Sequence, residues 1–209
     1  MRWLKCCAVV CAVMVVVKSV GCAQGETSPN LRQYVSAKVG FYSPATGLNN
    51  GLLFGLDGIT EFLRHDFILS GAVDLYFKRT FDMFTATKPN VLDQSMVIIP
   101  LHVNVGYQVL NVPSADTRVY AGVGGGYYLS FYNLDHRVYS GGLLSSYEDR
   151  SASKNGGAAF GTMFARLLIG KVFLEPRVYL ASKEEGMLDG MRYEFDPSGF
   201  VITIGFQYH

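Results

Sequence analysis

A strict alternation of apolar and polar residues is the feature that most restricts what this chain can fold into. It is clearest over residues 95–109, where every odd position from Val97 to Val109 is aliphatic or tyrosine. The even positions include His102, Asn104 and Gln108. Successive side chains of a strand point to opposite sides, so such a segment has one greasy and one polar face when it is extended. No apolar run after residue 23 is long enough for a membrane helix, and no helical periodicity persists.

Eight segments of this kind follow one another along the chain. Most run about 9–11 residues or slightly more, the length that a tilted strand needs to cross a bilayer. They cover residues 33–41, 52–62, 67–77, 95–109, 119–131, 158–169, 172–180 and 200–208. Closing eight strands into a ring leaves no unpaired edge, which hydrocarbon would penalise. We therefore predict an all-β fold, an eight-stranded antiparallel up-and-down transmembrane β-barrel over residues 24–209.

The connections between these segments alternate in length. The short ones cover residues 64–66, 110–116 and 170–171. The long ones cover residues 43–50, 80–93, 133–155 and 182–198. Short turns at one end and long loops at the other are typical of membrane barrels, with the turns in the periplasm and the loops outside the cell. A soluble lipocalin-type barrel has the same alternation with the faces inverted, and it is the alternative.

Aromatic residues at the strand ends favour the membrane interpretation. At the short-turn end the greasy face carries Phe62, Phe67, Tyr107 and Tyr208, and at the long-loop end it carries Phe41, Phe77, Phe131 and Phe200. Two such bands are expected where a barrel meets the two membrane–water interfaces.

Two prolines lie inside predicted strands. Pro100 and Pro176 each remove one ladder hydrogen bond, because proline has no backbone N–H. We interpret them as bulges or bends that help to curve the sheet, with a broken strand as the alternative.

Residues 1–23 have the features of a secretory signal. Arg2 and Lys5 are basic, residues 6–17 form an apolar run, and small residues before Gln24 suit a cleavage site. All four cysteines fall in this segment: Cys6, Cys7, Cys11 and Cys22. The mature chain is therefore expected to have no disulfide, no thiol nucleophile and no cysteine metal site. A lipoprotein signal with Cys22 as the lipidated residue is an alternative, on a weak lipobox over residues 19–21.

Taken together, these stretches resemble the small outer-membrane β-barrel superfamily, which includes the OmpA membrane domain and OmpW. The resemblance rests on residues 99–103, 119–127 and 175–179 and on the aromatic ending at Phe206 and Tyr208. That ending resembles the sorting signal of outer-membrane barrels, displaced by one residue. The resemblance covers the whole mature chain and implies a location in the bacterial outer membrane. For activity it implies an OmpW-like narrow channel for small solutes, hydrophobic ones included.

The polar face of the predicted barrel carries charges of both signs. Pointing to lipid, a cation near the midplane would cost about 2–4 kcal/mol, whereas pointing inward the charges can pair. We predict an interior charge network of Lys38, Asp57, Glu61, Asp74, Lys78, His102, Arg118, Arg166, Glu175 and Arg177. An eight-stranded barrel is only wide enough for side chains or one small ligand. The network is therefore either a packed plug or a gated pore that opens when pairs rearrange.

A catalytic or metal site is not expected. His102 with Glu175 or Glu61 and a serine could form an ester-hydrolysing set, as in lipid A deacylases, but His102 is predicted to be mid-strand and inward. The four histidines are scattered, which argues against a metal cluster. The glycines of residues 122–126 lack the spacing of a phosphate loop. We expect them to give room to interior side chains such as Tyr128 or Phe160.

The predicted long loops carry aromatic residues and methionines that can bind partners. We single out Phe81, Phe84, His136, Tyr139, Tyr147, Met187 and Tyr193 as loop contacts. Two functions besides the channel stay open: a surface barrel whose loops bind a host or envelope partner, and a lipid A-modifying enzyme. The formal net charge of +1 gives no reason to expect nucleic-acid binding, and no cofactor is expected.

Overall fold

The computed structural model describes residues 31–46, 50–62, 66–82, 92–140, 146–188 and 191–208. The predicted signal segment lies outside these residues. The described part contains nine strands and one short 3-10 turn over Pro113–Ala115. The strands are β1 (Leu31–Thr46), β2 (Gly51–Phe62), β3 (Phe67–Asp82), β4 (Leu92–Val112), β5 (Thr117–Ser140), β6 (Ser146–Ile169), β7 (Val172–Ala181), β8 (Glu184–Leu188) and β9 (Met191–Tyr208). In this part of the chain no helix is long and apolar enough to cross a membrane.

Eight of the strands close into a ring. Each strand from β1 to β7 pairs antiparallel with the next, β7 pairs with β9, and β9 pairs with β1. The ninth strand, β8, lies outside the ring and forms a hairpin with the first residues of β9. The predicted eight-stranded antiparallel up-and-down barrel is therefore confirmed.

The stagger of the strands sets their tilt. Starting at Tyr34 of β1 and following paired residues once around the ring, the path returns to β1 at Pro44, ten residues further along. The residues on this path are Tyr34, Ile59, Ser70, Asn104, Gly124, Thr162, Tyr179, Gly199 and Pro44. Ten residues of rise spread over eight strand spacings correspond to a tilt of about 40°, within the usual range for closed barrels.

Strands occupy part of every connection that we predicted to be a long loop. The largest difference is in residues 133–155, where β5 and β6 continue as a ribbon and pair as far as Ser140 and Ser146. A smaller one is in residues 182–198, which hold β8 and the start of β9. The prediction was wrong there because it relied on alternating polarity. A hairpin outside the membrane has water on both faces, so its backbone hydrogen bonds hold it extended without an apolar face.

The two prolines do not bulge their strands, so the bulge interpretation was wrong, while the bends remain a prediction. Pairing of β3 with β4 is interrupted beside Pro100 but resumes in the same register, and β6 and β7 do the same beside Pro176. On its other side each proline keeps its partner, Tyr128 for Pro100 and Ile202 for Pro176. One missing N–H therefore removes local bonds to one neighbour without shifting the strand. The register shifts occur elsewhere, between Gln108 and Leu110 and between Pro44 and Thr46.

The short turns at the other end are tight and bonded to neighbouring strands. Gly170 has a positive φ of 59°, which glycine adopts without steric cost, between the ends of β6 and β7. Its N–H donates to the carbonyl of Asp116 at 2.9 Å. The carbonyl of Lys171 accepts from the N–H of Gln207 in β9. The predicted short turn at residues 170–171 is thus present.

Interior side chains pack against bare glycine backbone on the neighbouring strands. A Cβ at Gly205 would lie 2.2 Å from the Phe173 ring, and one at Gly122 would lie 2.6 Å from the Phe164 ring. A Cβ at Gly124 would lie 2.3 Å from the Asn104 side chain. We expected glycines 122–126 to make room for Tyr128 or Phe160. The side chains that use Gly122 and Gly124 are instead Phe164 and Asn104, because they sit opposite these glycines across the ladder.

We predict that Gly205→Ala destabilises the barrel by about 1–3 kcal/mol, because the added methyl group overpacks the Phe173 ring. The matched control is Gly58→Ala, since a Cβ at Gly58 meets nothing within 4 Å. Denaturant unfolding in detergent micelles measures both. Equal midpoints for the two variants would contradict the packing described here.

Candidate functional site

The barrel interior gathers most of the charged residues that the sequence singled out. Eight of them are buried. These are Lys38, Asp57, Glu61, Asp74, His102, Arg166, Glu175 and Arg177. Arg118 is half-buried at the short-turn end. Lys78 lies apart from the others, four residues above Asp74 on β3, and its ammonium group donates to the carbonyl of Asn50 at 2.9 Å.

Three cations and three carboxylates form a chain of ion pairs in the middle of the lumen. Lys38 Nζ lies 2.8 Å from Asp57 Oδ1 and 2.9 Å from Asp74 Oδ1. Arg166 Nη2 lies 2.7 Å from Asp57 Oδ2 and 2.5 Å from Glu175 Oε2. Arg177 Nη2 reaches the other Glu175 oxygen at 2.8 Å. Arg166, Glu175 and Arg177 are close in the sequence, whereas Arg166 and Asp57 are 109 residues apart, so the closed sheet is what joins the two halves of this chain of ion pairs.

His102 closes this chain into a ring. Its Nε2 lies 3.0 Å from Asp74 Oδ2, and its Nδ1 lies 3.1 Å from Arg177 Nη1. With the hydrogen on Nε2 and a lone pair on Nδ1, the imidazole donates to Asp74 and accepts from Arg177. Arg177 Nη1 also donates to Asn104 Oδ1 at 2.7 Å. We call Lys38, Asp57, Asp74, His102, Arg166, Glu175 and Arg177 the lumen ring.

Each carboxylate of the lumen ring is shared between two nitrogen-bearing side chains. Asp57 binds Lys38 and Arg166, and Asp74 binds Lys38 and His102. Glu175 binds both arginines. The three positive and three negative charges balance, so no net charge is left in a space that water barely enters. Removing one member would strand its partners, which typically costs about 3–5 kcal/mol for a buried pair.

A second polar cluster lies toward the short-turn end. Glu61 accepts a hydrogen bond from Tyr34 at 2.9 Å, one from Tyr120 at 2.5 Å and one from Arg118 at 2.6 Å. The two tyrosines were not among the predicted site residues. Their inward parity on β1 and β5 was a signal available in the sequence, but tyrosine is common on both faces of a barrel.

Apolar layers fill the lumen on both sides of the ring. Toward the long-loop end the layer consists mainly of Tyr42, Leu53, Tyr76, Met96, Ile98, Tyr128, Phe160, Tyr179, Phe195 and Val201. Toward the short-turn end it consists of Tyr34, Ile59, Ile68, Tyr120, Phe164, Leu168 and Phe173. A cavity of about 10 Å³ remains beside Tyr42, Tyr76 and Tyr128, room for about one water molecule. The described lumen is therefore closed.

The connection between β7 and β9 is hydrogen-bonded to the rim of the barrel at the long-loop end. The hydroxyl of Tyr42 donates to the carbonyl of Pro197. The hydroxyl of Tyr128 donates to Glu184 Oε1 at 2.8 Å. Ser198 both accepts from the N–H and donates to the carbonyl of Ala181. These bonds tie the β8–β9 hairpin to the rim.

The outward face of the barrel is apolar over its whole circumference. Val123 is 60% exposed, Val103 57% and Ile204 54%, whereas their neighbours His102 and Asn104 are buried. A barrel in water would carry its apolar residues inside, so hydrocarbon is the solvent that fits this outer wall. The chain has the fold of the small eight-stranded outer-membrane β-barrels. The shortest barrel strand, β7, has 10 residues and is about 33 Å long. At a strand tilt of about 40° it covers about 25 Å along the barrel axis, which matches the apolar band of a membrane barrel.

Comparisons with known proteins find distant structural similarity only. No protein-family model and no curated protein matches the chain. A major outer membrane protein from Thermus thermophilus is similar at 12% identity and a TM-score of 0.49, over 85% of this chain and 100% of that one. Ail from Yersinia pestis is similar at 10% identity and a TM-score of 0.42, over 87% and 100%. Neisserial surface protein A is similar at 10% identity and a TM-score of 0.37, over 85% and 99%.

The predicted loop contacts fall largely outside what the structure describes. Met187 on β8 is exposed. Phe84 lies outside the described residues. The backbone of five others belongs to strands, but their side chains are outside the description: Phe81, His136, Tyr139, Tyr147 and Tyr193.

The described residues do not assemble the ester-hydrolysing set that the sequence allowed. In the described part of the chain, His102 makes polar contacts with Asp74, Asn104 and Arg177 and not with a serine hydroxyl. Glu175 binds arginines and Glu61 binds Tyr34, Tyr120 and Arg118. No group of histidine, cysteine and acidic side chains within the described ranges is arranged to hold a metal ion.

We predict that Arg166→Met lowers the free energy of unfolding by about 3–5 kcal/mol, because Asp57 and Glu175 each lose a buried cation. Lys78→Met is the matched control, since Lys78 lies outside the lumen ring. Denaturant titration in micelles, followed by the gel mobility of unboiled samples, measures both. A loss for Lys78→Met as large as that for Arg166→Met would contradict a special role of the ring.

Proposed function

We propose that this protein is an integral barrel of the bacterial outer membrane that acts as a closed anchor and presents the β5–β6 ribbon to a partner outside the cell. The observation that carries the proposal is the combination of a filled lumen with the β5–β6 hairpin, whose paired strands are the longest in the described part of the chain. A wall of apolar side chains fixes the barrel in lipid. The features of residues 1–23 support export through a signal peptide, with lipidation of Cys22 as the alternative.

The filled lumen argues against a permanently open pore. The lumen ring occupies the middle, and aromatic side chains close both sides of it. A solute would have to displace ion pairs that have little access to water, and each broken pair is costly. An anchor, in contrast, gains stability from such packing.

The ribbon has the geometry of a surface element. The last pair between β6 and β7 is Phe160 with Ala181, and β6 continues to Ser146 beyond it. These roughly 14 further residues extend about 45 Å along the strand at about 3.3 Å each. β4 accompanies the ribbon as far as the pair of Leu92 with His136. β3 accompanies β4 as far as the pair of Asp82 with Leu92, so four strands, β3 to β6, rise above the rim on one side of the mouth.

A narrow channel for small solutes is the second candidate, and the sharing of carboxylates favours it. Because Asp57, Asp74 and Glu175 each bind two partners, one contact can open while the other still neutralises the charge. The ring could then rearrange stepwise without leaving a bare charge in the lumen. A lipid-modifying enzyme has no comparable support, since His102 is held inside the ring.

We predict that shortening the ribbon abolishes attachment and leaves the barrel intact. Residues 134–152 are replaced by Asn-Gly, which joins the paired residues Asn133 and Ser153 through a two-residue hairpin turn. Bacteria that carry the variant are tested on cultured cells and on protein-coated surfaces, and attachment should fall to that of cells without the protein. The control has Asn-Gly at residues 170–171, at the opposite end. Unchanged attachment of the shortened variant would count against a surface role for the ribbon.

We expect no sustained conductance from the refolded protein in planar bilayers. If the lumen ring is a gate, Lys38→Met should change the frequency of conductance steps, because it frees both Asp57 and Asp74, while Lys78→Met should not. Silent recordings from the wild type and both variants would rule the channel out. Steady conductance of the wild type would overturn the closed anchor.

A further inference from the structure

A groove lies on the outside of the barrel where β6 and β7 part. The last pair between these two strands is Phe160 with Ala181. The side chain of Ser198 then bonds to both the N–H and the carbonyl of Ala181, which ties the end of β7 to β9 rather than to β6. The groove has a volume of about 480 Å³, within the range of about 300–1,000 Å³ that is usual for sites that hold small molecules.

The groove is a recess between two large outward side chains. Its floor is formed by β6, where Ala159 is exposed and a Cβ at Gly161 would meet none of the described residues within 4 Å. On the β7 side it is bordered by Leu180, which is 53% exposed. On the β5 side the ring of Tyr127 lies over Gly157, at 2.8 Å from the place that a Cβ would take. Small residues between large ones therefore leave a slot in the outer wall.

The groove lies at the height where hydrocarbon gives way to lipid head groups. Val178 pairs with Phe200, one of the aromatic residues of the long-loop end, and Leu180 is the next outward residue above Val178. Bands of aromatic residues mark the membrane–water interfaces of such barrels. Ser182 and Ser198 line the upper part of the groove, above Leu180. The lining thus changes from apolar to polar in the same direction as a lipid molecule does.

This position and this polarity select one class of occupant. The groove is continuous with an outer wall that faces hydrocarbon, so the molecules that already surround it are lipids. A second copy of the barrel fits poorly, because two convex walls touch at their protruding side chains. Such a neighbour would meet Tyr127 and Leu180 before it reached Gly161.

We propose that this groove binds one glycerophospholipid of the leaflet at the long-loop end. One acyl chain lies over Ala159 and Gly161, and the glycerol ester region lies beside Ser182. Ser182 is exposed, and its hydroxyl can donate to an ester carbonyl, whereas the Ser198 hydroxyl already donates to the carbonyl of Ala181. The inference requires only that the barrel stands in lipid, and it is independent of any partner of the β5–β6 ribbon.

The test uses the full barrel in nanodiscs of dimyristoylphosphatidylcholine that contain a small share of phosphatidylethanolamine with a diazirine on its acyl chain. After irradiation, mass spectrometry of the digested protein locates the adducts. Leu52 is the internal reference for Leu180, because the two leucines are 56% and 53% exposed and both lie at the long-loop end. Leu180 should carry at least about threefold more label than Leu52, since a bound chain stays in place longer than a passing one.

Filling the groove provides the second arm. Gly161→Leu and Ala159→Leu fill it from two positions, and each should lower the label on Leu180 by about tenfold, equivalent to about 1.4 kcal/mol. Gly58→Leu is the matched control, because Gly58 faces outward with the same open space but lies on β2. The gel mobility of unboiled samples verifies that each variant is folded. Equal label on Leu180 and Leu52, or label on Leu180 that both filling variants leave unchanged, overturns the proposal.

Two other outcomes would assign the groove to a different occupant and would also overturn the proposal. A diazirine-bearing free fatty acid that labels Leu180 as strongly as the phospholipid would show that the glycerol and head group contribute nothing. In nanodiscs large enough for two barrels, a dimer that Gly161→Leu dissociates and Gly58→Leu does not would show that a second copy takes the groove.

Discussion

Everything in this fold follows from the absence of water at the outer wall. Hydrocarbon accepts no hydrogen bonds, so the sheet has to close, and every polar side chain of the spanning strands has to face the lumen. The lumen of an eight-stranded barrel is too narrow to hydrate them. Lys38, Arg166 and Arg177 therefore meet Asp57, Asp74 and Glu175 at bonding distance, and the charges cancel in a closed ring.

The same constraint explains how the rest of the interior is packed. Aromatic rings occupy the space above and below the lumen ring, and glycines on the facing strands give them room, as Gly205 does for Phe173 and Gly122 for Phe164. Pro100 and Pro176 are tolerated inside their strands because the loss of one backbone N–H donor does not shift the register. Where the wall rises above the bilayer the constraint ends, and with it the need for closure. That is where β5 and β6 continue as a ribbon up to Ser140 and Ser146, and where the molecule differs most from a plain anchor.

Anchor and surface element are therefore parts of one molecule with opposite requirements. The spanning part of the barrel requires every backbone group to be paired within the sheet, whereas the ribbon stands in water, which can bond to its backbone groups. The boundary between the two regimes is the pair of Phe160 with Ala181 and the carboxylate of Glu184 just above it. A channel would require ion pairs of the lumen ring to break in a space that water barely enters. That change costs more free energy than placing the ribbon in water.

The sequence by itself determined the number of strands in the ring and the inward and outward faces of those strands. Alternation of period two depends only on the contrast between lipid and lumen, and residues such as Val103 and His102 indicate their faces individually. Tertiary structure alone decided the partners. Lys38 and Asp74, or Arg177 and His102, meet because eight strands close with a stagger of ten residues, and no local signal encodes that number. The β5–β6 ribbon was missed for the complementary reason: above the membrane both faces meet water, so the extended chain leaves no alternation to detect.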